Sequence, residues 1–303
     1  MTASSSCEAC GGSALAAHFS VAGSAGPDGL IPSSDRYGSA LADIVRCRDC
    51  GHMQLARFPP EADLSRAYEE ATSEDYVDEE AGQRATARAV LTAIERHAAV
   101  GSLLDLGCWV GFLLDEARRR GWNVTGVEPS EFAAGFARDR LGLDVLGGGL
   151  FEAEIESAGF DAIVLADVIE HLPRAGEALD RVAGLLAPGG VIALALPDAG
   201  SRLARALGRR WWSVLPTHIH YFTRHSVRTL LAGHGFETLS LTTAPKTFTL
   251  GYYLGRLGGY RAGVVKPLVG GARALGVAGR LVTPDFRDRM LVIARPSSSR
   301  TEP

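Results

Sequence analysis

The sequence lacks several features that would assign it to whole classes of protein. It has no run of about 18 apolar residues, so we expect no membrane-spanning helix. Residues 1–7 are polar and do not form a signal peptide, and we therefore expect a cytoplasmic protein. It also lacks an excess of basic residues, because the formal net charge is −4, so we do not expect non-specific nucleic-acid binding.

The remaining composition is ordinary for a soluble globular protein. Hydrophobic residues make up 46% of the sequence and charged residues 22%. A chain of 303 residues can bury one sizeable core and still carry a small satellite domain.

Cysteine is scarce, but four of the five cysteines form two pairs. Cys7 and Cys10 make one Cys-x-x-Cys pair, Cys47 and Cys50 make the other, and a glycine follows each pair. In a reducing compartment, two such knuckles are the ligand set of a tetrahedral zinc ion. Four thiolates leave no position for substrate, so we predict structural zinc, with disulfide bonds as the alternative.

The residues around the knuckles predict a zinc ribbon. Residues 43–46 and 52–56 are predicted to form the two strands of a hairpin around the second knuckle. Residues 20–38, between the knuckles, are rich in Ser, Gly and Pro and predict an inserted loop. We place the ribbon domain at 1–58, followed by a linker and an N-terminal helix at 59–99.

A strand, a glycine turn and a helix follow. Ser102–Leu106 predicts a buried strand, and Gly107 and Gly111 let the backbone bend and approach a ligand beside a helix N-terminus. No Lys-Ser/Thr pair follows, so the turn is not a P-loop. Glu128 closes the next apolar stretch, where an acidic side chain is placed to accept both hydroxyls of a ribose.

Four motifs together resemble those of a class I S-adenosylmethionine (SAM)-dependent methyltransferase. They are the glycine turn preceded by Asp105, the acid Glu128, residues 165–172 and residues 186–190. The resemblance implies a doubly wound, mostly parallel seven-stranded α/β sheet that binds SAM. Trp109 stands where the family usually has a third glycine, so its side chain must point away from the cofactor.

Strands and helices are predicted to alternate through this domain, which we place at 100–296. Strands are predicted at 102–106, 122–128, 143–147, 160–166, 190–196, 236–243 and 289–294, and helices at 111–120, 130–140, 174–187 and 226–234. The last strand is expected to pair antiparallel at the edge of the sheet. We predict a helical insertion at about 246–288 and a disordered tail at 297–303.

The resemblance also suggests which residues bind the cofactor. Asp105 would order the turn and meet the amino end of SAM through water, and Leu150 would contact the adenine. Asp167 either lines the cofactor site or caps the following helix. The predicted cofactor-binding residues are Asp105, Gly107, Gly111, Glu128, Leu150 and Asp167.

Two histidines are candidates for accepting a proton from the methyl acceptor, because the histidine pKa lies near working pH. His171 lies at the correct end of the sheet by resemblance, and the alternative is a histidine bonded to backbone. His218 is either a base or substrate ligand, or a buried anchor of its loop. In sugar C-methyltransferases a Glu-His pair precedes a Tyr-Phe pair at this position, but here Thr217 replaces the glutamate. We interpret His220 as structural.

A cysteine ribbon ahead of this core also resembles a bacterial group of methyltransferases that modify sugars, polysaccharides and natural products. The deoxysugar C-methyltransferases of that group carry a further C-terminal domain, for which this chain leaves no room. We therefore predict O-methylation of a small molecule: a sugar, a glycan or a natural-product intermediate. The alternatives are an RNA-base methyltransferase and a SAM-binding protein without catalysis.

Overall fold

The computed structural model describes residues 2–21, 37–71, 77–155, 159–259 and 262–297. Most of the predicted loop at 20–38 and nearly all of the predicted tail lie outside these residues. Within the described ranges, every helix is too short or too polar to cross a lipid bilayer.

Strands and helices follow one another in the order that the periodicity predicts. The strands are β1 Thr2–Ala3, β2 Leu15–Phe19, β3 Ile44–Cys47, β4 Met53–Leu55, β5 Arg57–Phe58, β6 Ser102–Leu106, β7 Asn123–Glu128, β8 Val145–Gly147, β9 Phe160–Ala166, β10 Leu186–Pro197, β11 His220–Tyr221, β12 Phe236–Thr243, β13 Phe248–Thr249, β14 Leu281–Val282 and β15 Arg289–Pro296. The helices are α1 Glu61–Glu69, α2 Glu80–Ile94, α3 Phe112–Arg119, α4 Glu131–Leu141, α5 Ala175–Leu185, α6 Arg202–Leu207, α7 Arg224–Gly233, α8 Leu250–Arg256 and α9 Ala262–Ala274.

Seven strands form the central sheet in the order β12-β15-β10-β9-β6-β7-β8. The strands from β10 to β8 are parallel, and β15 is antiparallel to both of its neighbours. This mixed seven-stranded sheet confirms the predicted fold class. The edge position predicted for the last strand is wrong, because β15 lies between β10 and β12. Residues 290–294 are all buried and need a neighbour on each side, whereas β12 is half-buried and forms the edge.

Local geometry explains why some predicted bounds differ from the structure. β10 begins at Leu186 rather than residue 190, because a register shift between Leu186 and Val191 takes up the Pro-Gly-Gly sequence as an irregularity within the strand. Gly189 has a φ of 81° there, which a residue with a side chain rarely adopts. The helical spacing of apolar residues in the sequence starts at Ala87, but α2 begins seven residues earlier, at Glu80. An acidic residue suits a helix N-terminus.

The core lies on both faces of the sheet. Alternate residues of β6 and β9 face opposite sides: Leu104 and Ile163 belong to one buried cluster, and Leu103 and Val164 belong to another. Burial on both faces explains why these strands are continuously apolar instead of alternating. It also fixes the carboxyl ends of the strands at one edge, where the loops that follow them meet.

The cysteine knuckles sit on a second, smaller sheet. Its order is β11-β4-β3-β2, so the predicted hairpin of β3 and β4 is confirmed. The fourth strand, β11, comes from the segment between β10 and β12 of the central sheet: His220 pairs with Gln54, and Tyr221 with Met53. The ribbon therefore continues directly into the loop that carries His218.

Candidate active site

A cleft of about 2070 Å³ lies at the carboxyl ends of the parallel strands. It is bordered by Asp105 near the end of β6, Glu128 at the end of β7, Asp167 after β9 and Pro197 at the end of β10. Ligands of open α/β sheets bind at this edge. Pockets for one drug-sized ligand measure about 300–1,000 Å³, so this cleft has room for a cofactor and a second molecule.

Both glycines of the turn have a positive φ and lie close to a neighbouring side chain. Gly107 has a φ of 72°, and a Cβ there would lie 2.6 Å from Cγ2 of Val168, so the turn passes close to the residue after Asp167. Gly111 has a φ of 80° and begins α3. A Cβ there would lie 2.6 Å from Cδ1 of Leu143. Packing around the start of α3 therefore requires glycine at position 111.

Trp109 adopts the left-handed conformation that the family's glycine would favour, with a φ of 49°. Its ring lies 6.5 Å from that of Phe132, centre to centre, and it also borders the cleft. Its backbone N–H donates a hydrogen bond to Oε2 of Glu128 over 2.8 Å. Whether the ring clears a bound cofactor stays a prediction.

Two buried carboxyls, those of Asp105 and Glu128, border the cleft. Glu128 accepts backbone N–H groups from Trp109 and Ser130, the latter over 2.9 Å. Burial raises the pKa of Glu128 to about 7, although those two hydrogen bonds oppose the shift. Burial, together with the nearby Glu128, raises the pKa of Asp105 to about 8. The pair is suited to a ligand that brings positive charge and hydroxyl donors.

Leu150 also borders the cleft, and its predicted contact with the adenine stays a prediction. An acidic residue is missing just before it in the sequence, but Glu152 also borders the cleft.

Asp167 lines the cleft, and its carboxylate is held by two cations. Nζ of Lys246 lies 2.6 Å from Oδ2, and the guanidinium of Arg289 is hydrogen-bonded to Oδ1. Burial alone would raise the pKa of Asp167, but Arg289 and Lys246 outweigh it and hold the pKa well below its usual range. Asp167 has a φ of 59°. Its side chain does not cap the 3-10 helix Ile169–His171 that follows. Of the two predicted roles, the structure favours lining the cleft.

The two candidate histidines, His171 and His218, are neighbours on the border of the cleft. Their rings are 4.6 Å apart, centre to centre, and meet edge to face at 80°. Nδ1 of His171 donates to the carbonyl oxygen of Thr217 over 2.9 Å and lies 2.7 Å from the hydroxyl of Tyr68. A carbonyl can only accept, so this bond places the proton on Nδ1 and leaves Nε2 of His171 as an acceptor.

Both histidines are neutral at physiological pH. Burial lowers the pKa of His171, against the opposing effect of the Thr217 carbonyl. Burial and the neighbouring His171 lower the pKa of His218 well below its ordinary value. Each imidazole can therefore accept a proton.

An acid completes this group in space, although not in sequence. A carboxylate oxygen of Glu170 and one ring nitrogen each of His171 and His218 lie within 4.8 Å of one another. Neither carboxylate oxygen of Glu170 has a hydrogen-bond partner among the described residues. Burial and the charge of Asp167 raise the pKa of Glu170 to about 8.

Sequence reasoning assigned no role to Tyr68, Glu170, Lys246 or Arg289. Glu170 could have been found, since it adjoins His171 in a recognisable motif. Tyr68 lies on α1, in a segment interpreted as a linker, and only the fold brings it to His171. Lys246 and Arg289 lie at the two ends of the predicted insertion, and no local sequence pattern relates them to Asp167.

His220 takes no part in the cleft, as predicted. Its two ring nitrogens lie 3.2 Å from Nε2 of His52 and 3.1 Å from the carbonyl oxygen of Leu172. It therefore joins the ribbon to the loop after β9.

The four ribbon cysteines converge on one point. Their sulfur atoms all lie within 4.8 Å of one another, with Cys7 and Cys50 at 3.5 Å and Cys10 and Cys47 at 3.7 Å. Disulfide sulfurs would be about 2.05 Å apart. Four thiolates about 2.3 Å from a tetrahedral zinc ion lie about 3.8 Å from one another, so these side chains fit that metal.

Known proteins similar to this chain share its central domain. Residues 79–241, more than half of the chain, match a family described as "Methyltransferase domain". The C-methyltransferase NovU of Streptomyces niveus is 28% identical over 227 residues, which cover 71% of this chain and 51% of that protein. The ubiquinone biosynthesis O-methyltransferase of Nitrobacter winogradskyi is 33% identical over 116 residues, covering 37% and 40%. The chain thus spans about half or less of the length of these curated relatives.

A solved structure shares the fold. The 1,6-didemethyltoxoflavin-N1-methyltransferase of Burkholderia thailandensis, solved with bound 1,6-didemethyltoxoflavin and S-adenosylhomocysteine, aligns with a TM-score of 0.50 at 17% identity. The alignment covers 83% of this chain and 98% of that one.

Proposed function

The chain belongs to the methyltransferase-domain family and carries a SAM-dependent methyltransferase domain, and from that premise we propose that it methylates a hydroxyl of a small molecule. One observation carries the proposal: a single cleft joins the acids Asp105 and Glu128 to the neutral pair His171 and His218. When bound, SAM supplies a methyl group on a positively charged sulfur. The protein's task is then to align the acceptor and to take its proton.

The acidic half of the cleft fits the cofactor. Glu128 ends β7, where its carboxylate would accept the ribose hydroxyls. Asp105 lies nearby and would meet the ammonium group of the cofactor through water. Both carboxyls are buried and have raised pKa values, so a ligand that carries positive charge would stabilise their ionised forms.

The other half of the cleft fits the acceptor. His218 takes the hydroxyl proton, His171 packs against its ring, and Glu170, in its ionised form, lies close enough to stabilise the imidazolium. Tyr252, Tyr253, Trp212 and Phe286 border the cleft, and flat aromatic faces suit a sugar ring or an aromatic natural product. A neutral imidazole suits O-methylation, since the hydroxyl proton leaves as the methyl group arrives and no carbanion has to form first.

A structural zinc in the ribbon forms part of the proposal. Cys7, Cys10, Cys47 and Cys50 are its ligands, and their sulfur spacing supports a closed tetrahedral shell. A reducing cytoplasm suits this site, since free thiols persist there.

The first test is a calorimetric titration of the purified protein with SAM. The wild type should bind at micromolar concentration, and Glu128→Ala should weaken binding at least about tenfold, because a buried charge-assisted hydrogen bond contributes about 1.5–3 kcal/mol. Glu131→Ala, an exposed acid at the start of α4, is the matched control and should bind like the wild type.

Turnover is then measured as release of S-adenosylhomocysteine with a panel of sugars, nucleotide sugars and phenols. Turnover that His218→Gln abolishes while SAM still binds supports the proposed base. SAM binding without turnover on any acceptor would favour a non-catalytic binding protein. If the wild type does not bind SAM, the proposed function is wrong.

A further inference from the structure

Residues 248–286 make up most of the predicted insertion and are called the insertion below. Hydrogen bonds near its two ends hold these ends together and attach the insertion to the rest of the protein. β13 pairs with β14, and Leu250 donates a backbone hydrogen bond to Arg280 over 2.9 Å. The carboxylate of Glu79, beside α2, accepts the backbone N–H of Thr249 over 2.8 Å and its hydroxyl over 2.6 Å. α8 and α9 lie between these ends, and residues 252–258 of the insertion border the cleft.

The outer surface of the insertion is unusually apolar. Of the large hydrophobic side chains that are exposed in the described ranges, all but Val100 lie here. Leu275 is 77% exposed. The others are Leu257, Leu268, Leu281 and Phe286. Exposed apolar side chains concentrated in one short segment mark an interaction surface rather than ordinary solvent-facing surface.

From residue 250 to residue 284 the same segment carries positive charge only. This stretch contains no acidic residue, although the whole protein is acidic. Its basic residues are Arg256, Arg261, Lys266, Arg273 and Arg280. Lys266, Arg273 and Arg280 are exposed. The insertion is therefore complementary to a negatively charged surface.

α9 shows how the two properties combine. Its side facing the protein includes Ala272, which is buried, and Val265 and Val269, which are half-buried. At 3.6 residues per turn, the exposed positions of α9 other than Lys266 and Arg273 form one continuous apolar side. These positions are Pro267, Leu268, Gly270, Gly271 and Ala274, and Leu275 follows directly. Lys266 and Arg273 lie seven residues apart on one flank of that side.

We propose that the outer surface of the insertion docks onto an anionic lipid bilayer. The leucines would enter the boundary between headgroups and acyl chains, while the basic side chains contact lipid phosphates. A bilayer suits this surface better than an acidic protein, because the apolar side chains are spread over α9, β14 and the turns and alternate with cations. A fluid bilayer accommodates such a distribution without a matching shape.

Docking would also define the acceptor class. Leu257 is both exposed and part of the cleft border, so the mouth of the cleft would lie at the bilayer surface. The acceptor is then an amphiphile whose hydroxyl-bearing head lies at the bilayer surface and whose apolar tail stays in the bilayer. This step rests on the proposed function, whereas the docking itself does not.

The test is vesicle co-sedimentation of the full chain with its metal. Phosphatidylcholine vesicles containing phosphatidylglycerol are compared with phosphatidylcholine alone, at low and at high salt. The wild type should sediment with the anionic vesicles and be released by salt, because salt screens surface charge. Lys266→Glu combined with Arg273→Glu should lower the partition coefficient at least about tenfold. Leu268→Glu combined with Leu275→Glu should do the same.

Val100→Glu is the matched control, since Val100 is the one other exposed large apolar side chain of the described residues. This variant should sediment like the wild type, and none of the five substituted residues borders the cleft. SAM titration on the same samples separates the two proposals: intact SAM binding without sedimentation overturns docking alone. Equal binding to neutral vesicles, equal loss with Val100→Glu, or binding to an acidic carrier protein but not to vesicles would also overturn it.

Discussion

At the residue scale, burial determines what the cleft histidines can do. His171 and His218 are removed from water, so their pKa values fall and both are neutral at physiological pH. A neutral imidazole can accept a proton, but the imidazolium that results is costly in such a place. A carboxylate oxygen of Glu170 lies within 4.8 Å of a ring nitrogen of each histidine, and neither of its oxygens has a hydrogen-bond partner among the described residues.

Above about pH 8, where Glu170 is ionised, we expect Glu170→Gln to lower kcat by about 10- to 100-fold, because the amide cannot offset the charge on His218 as the proton is transferred. The Kd for SAM should change less than about twofold, since Glu170 does not border the cofactor half of the cleft. Stopped-assay kinetics and calorimetry measure the two effects. Glu177→Gln, an exposed acid on α5, is the control, and an equal loss of kcat there would contradict the assignment.

The pH dependence of kcat/KM should reflect the lowered histidine pKa values. His218 accepts a proton only when it is neutral, so activity should fall on the acid side. The midpoint of that fall should lie below pH 6.5, the ordinary histidine value, because burial lowers the pKa of His218. An initial-rate profile from pH 5 upward measures it. A midpoint above 6.5 that persists in His218→Gln would exclude this base.

The sequence predicts the cofactor half of the cleft better than the acceptor half. Gly107, Gly111 and Glu128 belong to one contiguous strand-turn-helix-strand unit, so local spacing alone places them. Tyr68 and Lys246 reach the cleft from segments about 100 residues before and 80 residues after His171. Their positions depend on how α1 and the loop after β12 fold back onto the sheet, and no local pattern encodes that.

At the element scale, β11 couples the ribbon to the active site. Its residue His220 lies two positions after His218 and pairs with Gln54 of β4. Trp211 and Ile219 of the same loop pack in one cluster with Ile44 and Leu55 of the ribbon. The position of His218 is therefore set in part by a strand that the cysteine site holds in place.

Loss of the proposed zinc ion should therefore reduce catalysis more than cofactor binding. We expect Cys10→Ser to lose zinc, to unfold at a lower temperature and to lower kcat about tenfold or more, while the SAM Kd stays within about twofold. Metal analysis, thermal unfolding and calorimetry measure these effects. Cys108→Ser, which lies outside the ribbon, should keep its zinc. A zinc-free protein with unchanged kcat would show that the ribbon does not position His218.

Periodicity predicts the elements well, but their neighbours in the sheet less well. The strand at residue 289 is apparent from its apolar run, yet its place between β10 and β12 follows from burial on both sides, which requires the assembled sheet. The strand that became β10 is predicted to begin at residue 190, after the proline and one glycine of the Pro-Gly-Gly sequence, and both residue types weaken a strand. In the structure, Leu186 already pairs with Phe160 of β9, and pairing resumes at Val191 after a register shift.

At the scale of the whole molecule, three buried carboxyls shape the dependence of stability on pH. The pKa values of Asp105 and Glu170 are raised to about 8 and that of Glu128 to about 7. The folded state then binds these protons more tightly than the unfolded state, so stability falls as pH rises from about 4 to 8. The buried histidines have lowered pKa values and act in the opposite direction, but only below about pH 6.5.

The free energy of unfolding of the ligand-free protein should therefore decrease between pH 6.5 and 8. Each carboxyl that is protonated only in the folded state contributes a slope of about 1.4 kcal/mol per pH unit. Urea unfolding at several pH values measures the slope. Asp105→Asn should flatten it, whereas Asp144→Asn, an exposed acid before β8, should not. Stability that rises over this interval would contradict the prediction.

The position of β15 also has a consequence for how the chain folds during synthesis. β12 leaves the ribosome well before β15, yet its only neighbour in the central sheet is β15. Until β15 emerges, β12 has no partner in that sheet and β10 keeps one edge unpaired. The nascent protein therefore passes through a stage in which the parallel strands are already complete while a hydrophobic edge awaits the last strand. That intermediate is the form most exposed to aggregation and the one that a chaperone would bind.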